Sequence, residues 1–153
     1  MDLPAAKTLA TTLMAQHGLN GWRFAFDQAK RRMGSCHYGK RQLTLSRHLT
    51  LLNDEATVRD TILHEIAHAL TPGAKHGPAW RAMCQQIGAR PSATVQSHEV
   101  NSPAPTYYLV CPHCDTKIPR YRRSRRRLVC RSCYENYGAG RGPRPEPLAQ
   151  VRA

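Results

Sequence analysis

His64, Glu65 and His68 are the residues whose types and spacing can do chemistry together. They lie in Thr61-Ile62-Leu63-His64-Glu65-Ile66-Ala67-His68-Ala69-Leu70, an H-E-x-x-H stretch. On a helix, residues four apart sit one above the other on the same face. Two imidazoles so placed can hold one tetrahedral metal ion, and zinc is the usual one. Glu65 is too short and wrongly aimed to be an easy third ligand. It can instead contact a water in the open coordination position. Zinc lowers the pKa of such a water to about 7, and the carboxylate can take its proton. The pattern predicts metal-assisted peptide hydrolysis with Glu65 as general base.

A catalytic zinc site usually has three protein ligands. His76 is the best third candidate, because the Pro72-Gly73 break lets the chain turn back after His68. The longer pattern H-E-x-x-H-x-x-G-x-x-H is absent, since Thr71 and Ala74 stand where it needs Gly and His. Glu99 and His98 remain as alternatives, both in a stretch that reads as a connector.

A second constellation is Cys111-Pro-His-Cys114 and Cys130-Arg-Ser-Cys133, with fifteen residues between the pairs. That is zinc-ribbon spacing: two tight knuckles give Cys111, Cys114, Cys130 and Cys133 as a closed, structural Cys₄ site. His113 is then a spectator, while Cys36 and Cys84 have no partner spacing and read as small buried residues. Between the knuckles, Arg120, Arg122, Arg123, Arg125, Arg126 and Arg127 are packed into eight residues with Tyr121. A guanidinium fork matches phosphate oxygens, and a tyrosine can stack on an unpaired base. The run predicts a basic hairpin that binds nucleic acid, single-stranded or disrupted duplex included, with little sequence specificity.

The elements that must position these groups follow from periodicity. In the H-E-x-x-H helix, Val58, Ile62, Ile66 and Leu70 form an apolar face. Thr57, Asp60, His64, His68 and Thr71 form a polar stripe. Asn53 is a possible N-cap, and Pro72-Gly73 ends the helix. Upstream, an amphipathic helix is expected over 3–17 and strands over 22–27, around 33–38 and over 42–46, with a short helical turn to Leu52. Pro78 opens a further helix that Gly88 closes. The expectation is α+β: helices on a small antiparallel sheet over 1–90, a connector over 91–106, a ribbon over 107–137 and a disordered tail over 138–153.

The formal net charge of the 153 residues is +13, which predicts association with a polyanion. Up to residue 105 there are 12 Lys and Arg against 7 Asp and Glu; beyond it, 11 against 3. The excess is concentrated around the cysteines. No stretch approaches the ~18 apolar residues of a membrane helix, and Met1-Asp2-Leu3-Pro4 is no basic signal region. Cysteines without a signal peptide point to a reducing compartment: cytoplasmic and nucleoid-associated in a prokaryote, nuclear in a eukaryote.

Several stretches together resemble the SprT-like metalloproteases, which include the Spartan proteases of DNA–protein crosslink repair. They are Trp22 through Cys36, Leu43-Thr-Leu-Ser46, His64-Glu-Ile-Ala-His68, His76-Gly-Pro-Ala-Trp80 and the ribbon with its basic hairpin. The resemblance spans roughly residues 20–137. It implies a zincin-like domain with zinc on His64, His68 and His76, Glu65 as catalytic base, and an open active-site groove. It also implies DNA-dependent cleavage of proteins bound or crosslinked to DNA. The short gap from His68 to His76 and the absence of a long tail depart from the larger animal members. That puts regulation by ubiquitin or a sliding clamp in doubt. The expectation is therefore a monomeric enzyme with one catalytic and one structural zinc, with DNA and DNA-bound proteins as partners. Two rivals differ in class: a non-proteolytic nucleic-acid-binding protein on a zincin scaffold, and a metallopeptidase indifferent to DNA. For an oxyanion stabiliser, Tyr38, His37 and Tyr107 are equally open.

Overall fold

The computed structural model describes residues 1–93 and 100–153; the alternative ligands His98 and Glu99 lie outside the described residues. The chain divides into two compact units, Met1–Pro103 and Ala104–Ala153.

The first unit opens with α1 (Leu3–Gln16), capped by Asp2, whose carboxylate accepts from Ala5 N at 2.8 Å. Its buried face is Ala6, Ala10, Leu13 and Met14, and the two alanines let it lie close against the metal-motif helix. The sheet comprises β1 (Arg23–Asp27), β2 (Gly34–His37) and β3 (Gln42–Ser46), in the order β1-β3-β2. The expected antiparallel sheet is in fact mixed. β2 runs antiparallel to β3, with Cys36 opposite Leu43, but β1 runs parallel to β3, with Phe24 opposite Leu43 and Phe26 opposite Leu45. The reason is where the 28–33 connection lands. It carries the chain past the position of β3, so the β2–β3 hairpin returns β3 into the middle, pointing the same way as β1. Alternation of apolar residues fits either direction and cannot report this. Asp27 holds the connection in place: it accepts from Ala29 N at 2.8 Å, Thr44 Oγ1 at 2.9 Å and Arg32 at 2.6 Å.

Ser46 ends β3 and caps α2 (Arg47–Leu52), accepting from Leu49 N. The metal-motif helix is α3 (Glu55–Leu70), and its N-cap is Asp54, which accepts from Thr57 N at 2.9 Å. Asn53, expected in that role, is buried instead and clamps a distant segment. Its amide donates to Leu49 O and Asn101 O and accepts from Asn101 N at 2.8 Å. On α3, Val58, Ile62, Leu63, Ile66 and Ala67 are buried in the core between α1, the sheet and α4 (Pro78–Ile87). Burial of each branched side chain contributes roughly 1.5–3 kcal/mol. That apolar face fixes the rotation of α3, and hence where its histidines point.

The second unit contains β4 (Tyr107–Val110), β5 (Lys117–Arg120), α5 (Arg131–Gly138) and β6 (Ala149–Arg152). The sheet order is β5-β4-β6, antiparallel throughout. Two expectations are corrected here. The tail is not disordered: Leu148 N donates to Leu128 O at 2.7 Å, and β6 pairs with β4 from Tyr107↔Arg152 to Val110↔Ala149. An open β4 edge is a row of unpaired amides and carbonyls, and the tail backbone satisfies it despite a Gly- and Pro-rich approach. The arginine run is also not a strand hairpin. Arg120 ends β5, and residues 121–128 form an irregular loop held by Ser124 N to Gln150 Oε1 at 2.9 Å. Among the described residues no helix is long and apolar enough to cross a membrane.

Candidate metal centres

α3 presents His64 and His68 on one face, with ring centroids 5.0 Å apart. Thr71 closes the helix, its hydroxyl donating to Ala67 O at 2.7 Å. The chain then reverses in two tight steps, Ala74 N to Thr71 O and Gly77 N to Ala74 O. Gly73 (φ +81°) and Lys75 (φ +49°) take the left-handed conformation in this reversal, and Lys75 does so with a side chain. Gly77 is needed for space: a Cβ there would stand 2.9 Å from the Ala74 carbonyl oxygen. Pro78 then starts α4.

The reversal brings His76 Nε2 to 3.0 Å from His68 Nε2 and 3.4 Å from His64 Nε2. A tetrahedral zinc with bonds of ~2.0–2.1 Å to nitrogen holds its nitrogens about 3.3 Å apart. The observed spacings bracket that value, so the three imidazoles fit the ion. Burial, with the neighbouring His68 and His76, pushes His64 down to about 4, and burial also lowers His68. Both are thus neutral near pH 7, as ligands must be. Trp80 forms the wall behind all three rings. It is stacked on His68 at 5.2 Å and edge-on to His64 and His76 at 4.8 and 4.7 Å. In sequence Trp80 enters only as the end of the His76-Gly-Pro-Ala-Trp80 stretch, with no sign that it backs the histidines.

Glu65 packs against Gly34 of β2 and is only 7 % exposed. Burial pushes its carboxyl up to about 7, against the opposing pull of the Arg32 guanidinium. Among the described residues it makes no ion pair. Such a carboxyl is poised to exchange a proton near neutral pH. His64, Glu65, His68 and His76 line an open cleft of about 1070 Å³ bordered on one side by Gly34, Ser35 and Cys36 of β2. Of the three oxyanion candidates only Tyr38 lines this cleft, and its hydroxyl donates to the His68 carbonyl at 2.8 Å. His37 is exposed at the end of β2, and Tyr107 belongs to the second unit. Burial raises the Cys36 thiol to about 12 and the Cys84 thiol to about 11, so neither is a nucleophile.

In the second unit, Cys111, Cys114, Cys130 and Cys133 converge, with Cys111–Cys133 at 3.6 Å and Cys114–Cys130 at 3.5 Å between sulfurs. Zinc–sulfur bonds of ~2.3 Å imply sulfurs about 3.8 Å apart, so this set also fits zinc. The first knuckle is closed by Cys111 N to Thr116 O at 3.0 Å, with Asp115 left-handed at φ +52°. The Thr116 hydroxyl, 3.1 Å from Cys114 Sγ, and its backbone hold that thiol below its ordinary range, while hydrogen bonding with Cys114 raises its neighbour Cys133. His113 turns to Glu146 rather than to the sulfurs. Arg122, Arg123, Arg125, Arg126 and Arg127 are exposed on the loop, Arg120 and Tyr121 less so. Tyr134 and Tyr137 on α5 are 61 % and 47 % exposed, an aromatic pair the sequence reading passed over.

The first unit has a counterpart among known proteins. The model of the SprT-like family matches residues 6–101. The chain belongs to the SprT-like family. It is 27 % identical over 124 residues to Protein SprT of Pseudomonas entomophila (strain L48), covering 72 % of this chain and 76 % of that one. Among solved structures it is similar to the metallopeptidase zymogen jannalysin of Methanocaldococcus jannaschii. That match has a TM-score of 0.48 and 17 % identity, over 61 % of this chain and 85 % of the other.

Proposed function

We propose that this chain is a zinc-dependent, DNA-stimulated endopeptidase that cleaves proteins bound or crosslinked to DNA inside the cell. The observation that carries the peptidase reading is the convergence of three imidazole nitrogens beside a buried carboxyl in an open cleft. His64, His68 and His76 would hold the zinc, which supplies a Lewis acid for the scissile carbonyl and makes a water acidic enough to attack near pH 7. Every other role falls to the chain's own groups. β2 is an edge strand of the sheet, so its outer amides and carbonyls are available to pair with an extended peptide laid in the cleft. Glu65 accepts a proton from the attacking water as the new C–O bond forms. It then delivers that proton to the departing amine nitrogen as the C–N bond breaks. Tyr38 stands at the cleft wall, fixed through the His68 carbonyl.

The DNA part of the reading rests on the second unit. Five exposed arginines on one loop and, elsewhere in the unit, exposed tyrosines on α5 would supply phosphate attraction and base-stacking faces. Family membership adds what the resemblance implies, proteolysis directed to protein on DNA. The test is incubation of a DNA-bound basic protein with this chain, with and without DNA, beside Glu65→Ala. The expected result is cleavage that needs both DNA and Glu65. Cleavage independent of DNA would leave a general metallopeptidase, and no cleavage at all would leave a binding protein.

A further inference from the structure

Gly34 lies where β2 meets the catalytic helix and has no part in the proposed chemistry. It lies at the start of β2, opposite Leu45 of β3, where that strand packs on α3. A Cβ at this position would stand 2.8 Å from Glu65 Cγ, 3.0 Å from Glu65 Oε1 and 3.1 Å from Thr61 Cγ2. Atoms that close must move. Gly34 is not among the positive-φ glycines, so its backbone tolerates any residue and the requirement is one of space alone. Glycine inside a strand often marks such a close approach.

We infer that Gly34 is a positioning residue for Glu65: its bare Cα is the surface against which the base is seated. Two of the three crowded atoms belong to Glu65 itself, and one of them is a carboxylate oxygen. The third, the Thr61 methyl, is on a β-branched side chain one turn earlier whose hydroxyl is tied to Thr57 O at 2.9 Å. Thr61 therefore yields less readily than Glu65. A methyl group at 34 would drive the carboxylate across the cleft, away from the place that the buried seat defines. No histidine atom is among the three that the added Cβ would crowd most closely. The metal site and the base are thus separately held, the one by the α3–α4 reversal and the other by β2.

The inference rests on the peptidase reading, and two measurements keep the two apart. The first is steady-state cleavage by Gly34→Ala. The expected outcome is a kcat lower by about 10²-fold, the effect of an ångström-scale misplacement, with KM and zinc content close to wild type. A variant with near wild-type kcat overturns the inference. Loss of zinc together with activity also overturns it, because Gly34 would then be shaping the fold. The second needs no activity: a double-mutant cycle in melting temperature between Gly34→Ala and Glu65→Ala. In the Glu65→Ala background Cγ and Oε1 are gone, so Gly34→Ala should lower Tm by much less than it does in the wild type. An equal drop in both backgrounds, or failure of the double variant to fold, overturns the inference. If wild type cleaves nothing while the cycle shows the expected coupling, the peptidase reading is what fails.

Discussion

Glu65→Gln should stabilise the first unit, by an amount that grows as pH rises from about 4.5 and is complete above about pH 7. Burial raises the Glu65 carboxyl from 4.5 to about 7. A carboxyl raised in the folded state contributes its full stability below its ordinary value and loses it as pH rises through the folded value. The protein with its histidine site stripped of metal should therefore lose stability between about pH 4.5 and pH 7. The whole loss, at about 1.4 kcal/mol per pH unit of displacement, is about 3 kcal/mol. Glutamine keeps the shape and cannot ionise, so the variant should lack this decline. His64 and His68 move the other way: their lowered values give stability that is lost as pH falls below about 6.5. They are common to both proteins and drop out of the difference at each pH.

The assay is urea unfolding of both proteins at pH 5 and pH 8.5, after brief chelation that empties the open histidine site and leaves the four-cysteine site loaded. Both tryptophans, Trp22 and Trp80, are in the first unit, so their fluorescence reports that unit. The difference should be under about 1 kcal/mol at pH 5 and about 3 kcal/mol in favour of Gln at pH 8.5, or upwards of ~10 °C in Tm for a unit of this size. A difference of the same size at both values of pH would refute the reasoning, because a pH-independent gain is not the relief of a buried charge.

Further outcomes follow from the same geometry. Metal analysis should return two zinc ions per chain, and mild chelation should remove one of them, that of the histidine site with its open position; one ion or none would count against this. Gly77→Ala should release the histidine-site metal as completely as His76→Ala does, since the added Cβ meets a backbone oxygen at 2.9 Å and the turn that delivers His76 cannot form. Neutralising Arg122, Arg123, Arg125, Arg126 and Arg127 together should weaken single-stranded DNA binding. If about four phosphates are contacted, the log–log salt slope should fall by roughly 3, with zinc content unchanged; an unaltered slope would move the DNA site elsewhere. Alkylation of the zinc-loaded protein at pH 8 should label neither Cys36 nor Cys84, whose thiols stay protonated.

What was legible in the sequence is what local chemistry decides. Pro72-Gly73 and Pro78 punctuate the chain in a way that forces a return after His68, and His76 is the residue delivered by it. Ser46 caps α2, and Gly18 and Gly88 follow their helices in the left-handed conformation, as propensity requires. What was not legible depends on partners far away in sequence. Asn53 has good N-cap chemistry, yet a partner 48 residues on, Asn101, outcompetes the neighbouring helix for its amide. The β1–β3 pairing is parallel because of where a six-residue connection crosses, which no strand pattern encodes. The tail looked unable to fold because its composition was weighed without the open β4 edge that receives it. Gly34 gives no signal at all on its own; its meaning appears only when Glu65 is placed against it.

The features that resist folding gather in one place. Glu65 is buried without an ion-pair partner among the described residues, Lys75 holds a left-handed backbone, and three imidazole nitrogens face one another. The Trp80 indole nitrogen is buried with no hydrogen-bond partner among the described residues. Each of these opposes stability by an amount of order 1–3 kcal/mol. A cation among the imidazoles would reverse the sign of two of them, turning converging lone pairs and a nearby carboxylate into favourable contacts. Any ion bound only by the folded chain must then raise its stability, by an amount that grows with the logarithm of its concentration over its dissociation constant. The first unit is thus built so that the core sets the direction of α3, and the metal completes what the core alone leaves unfavourable.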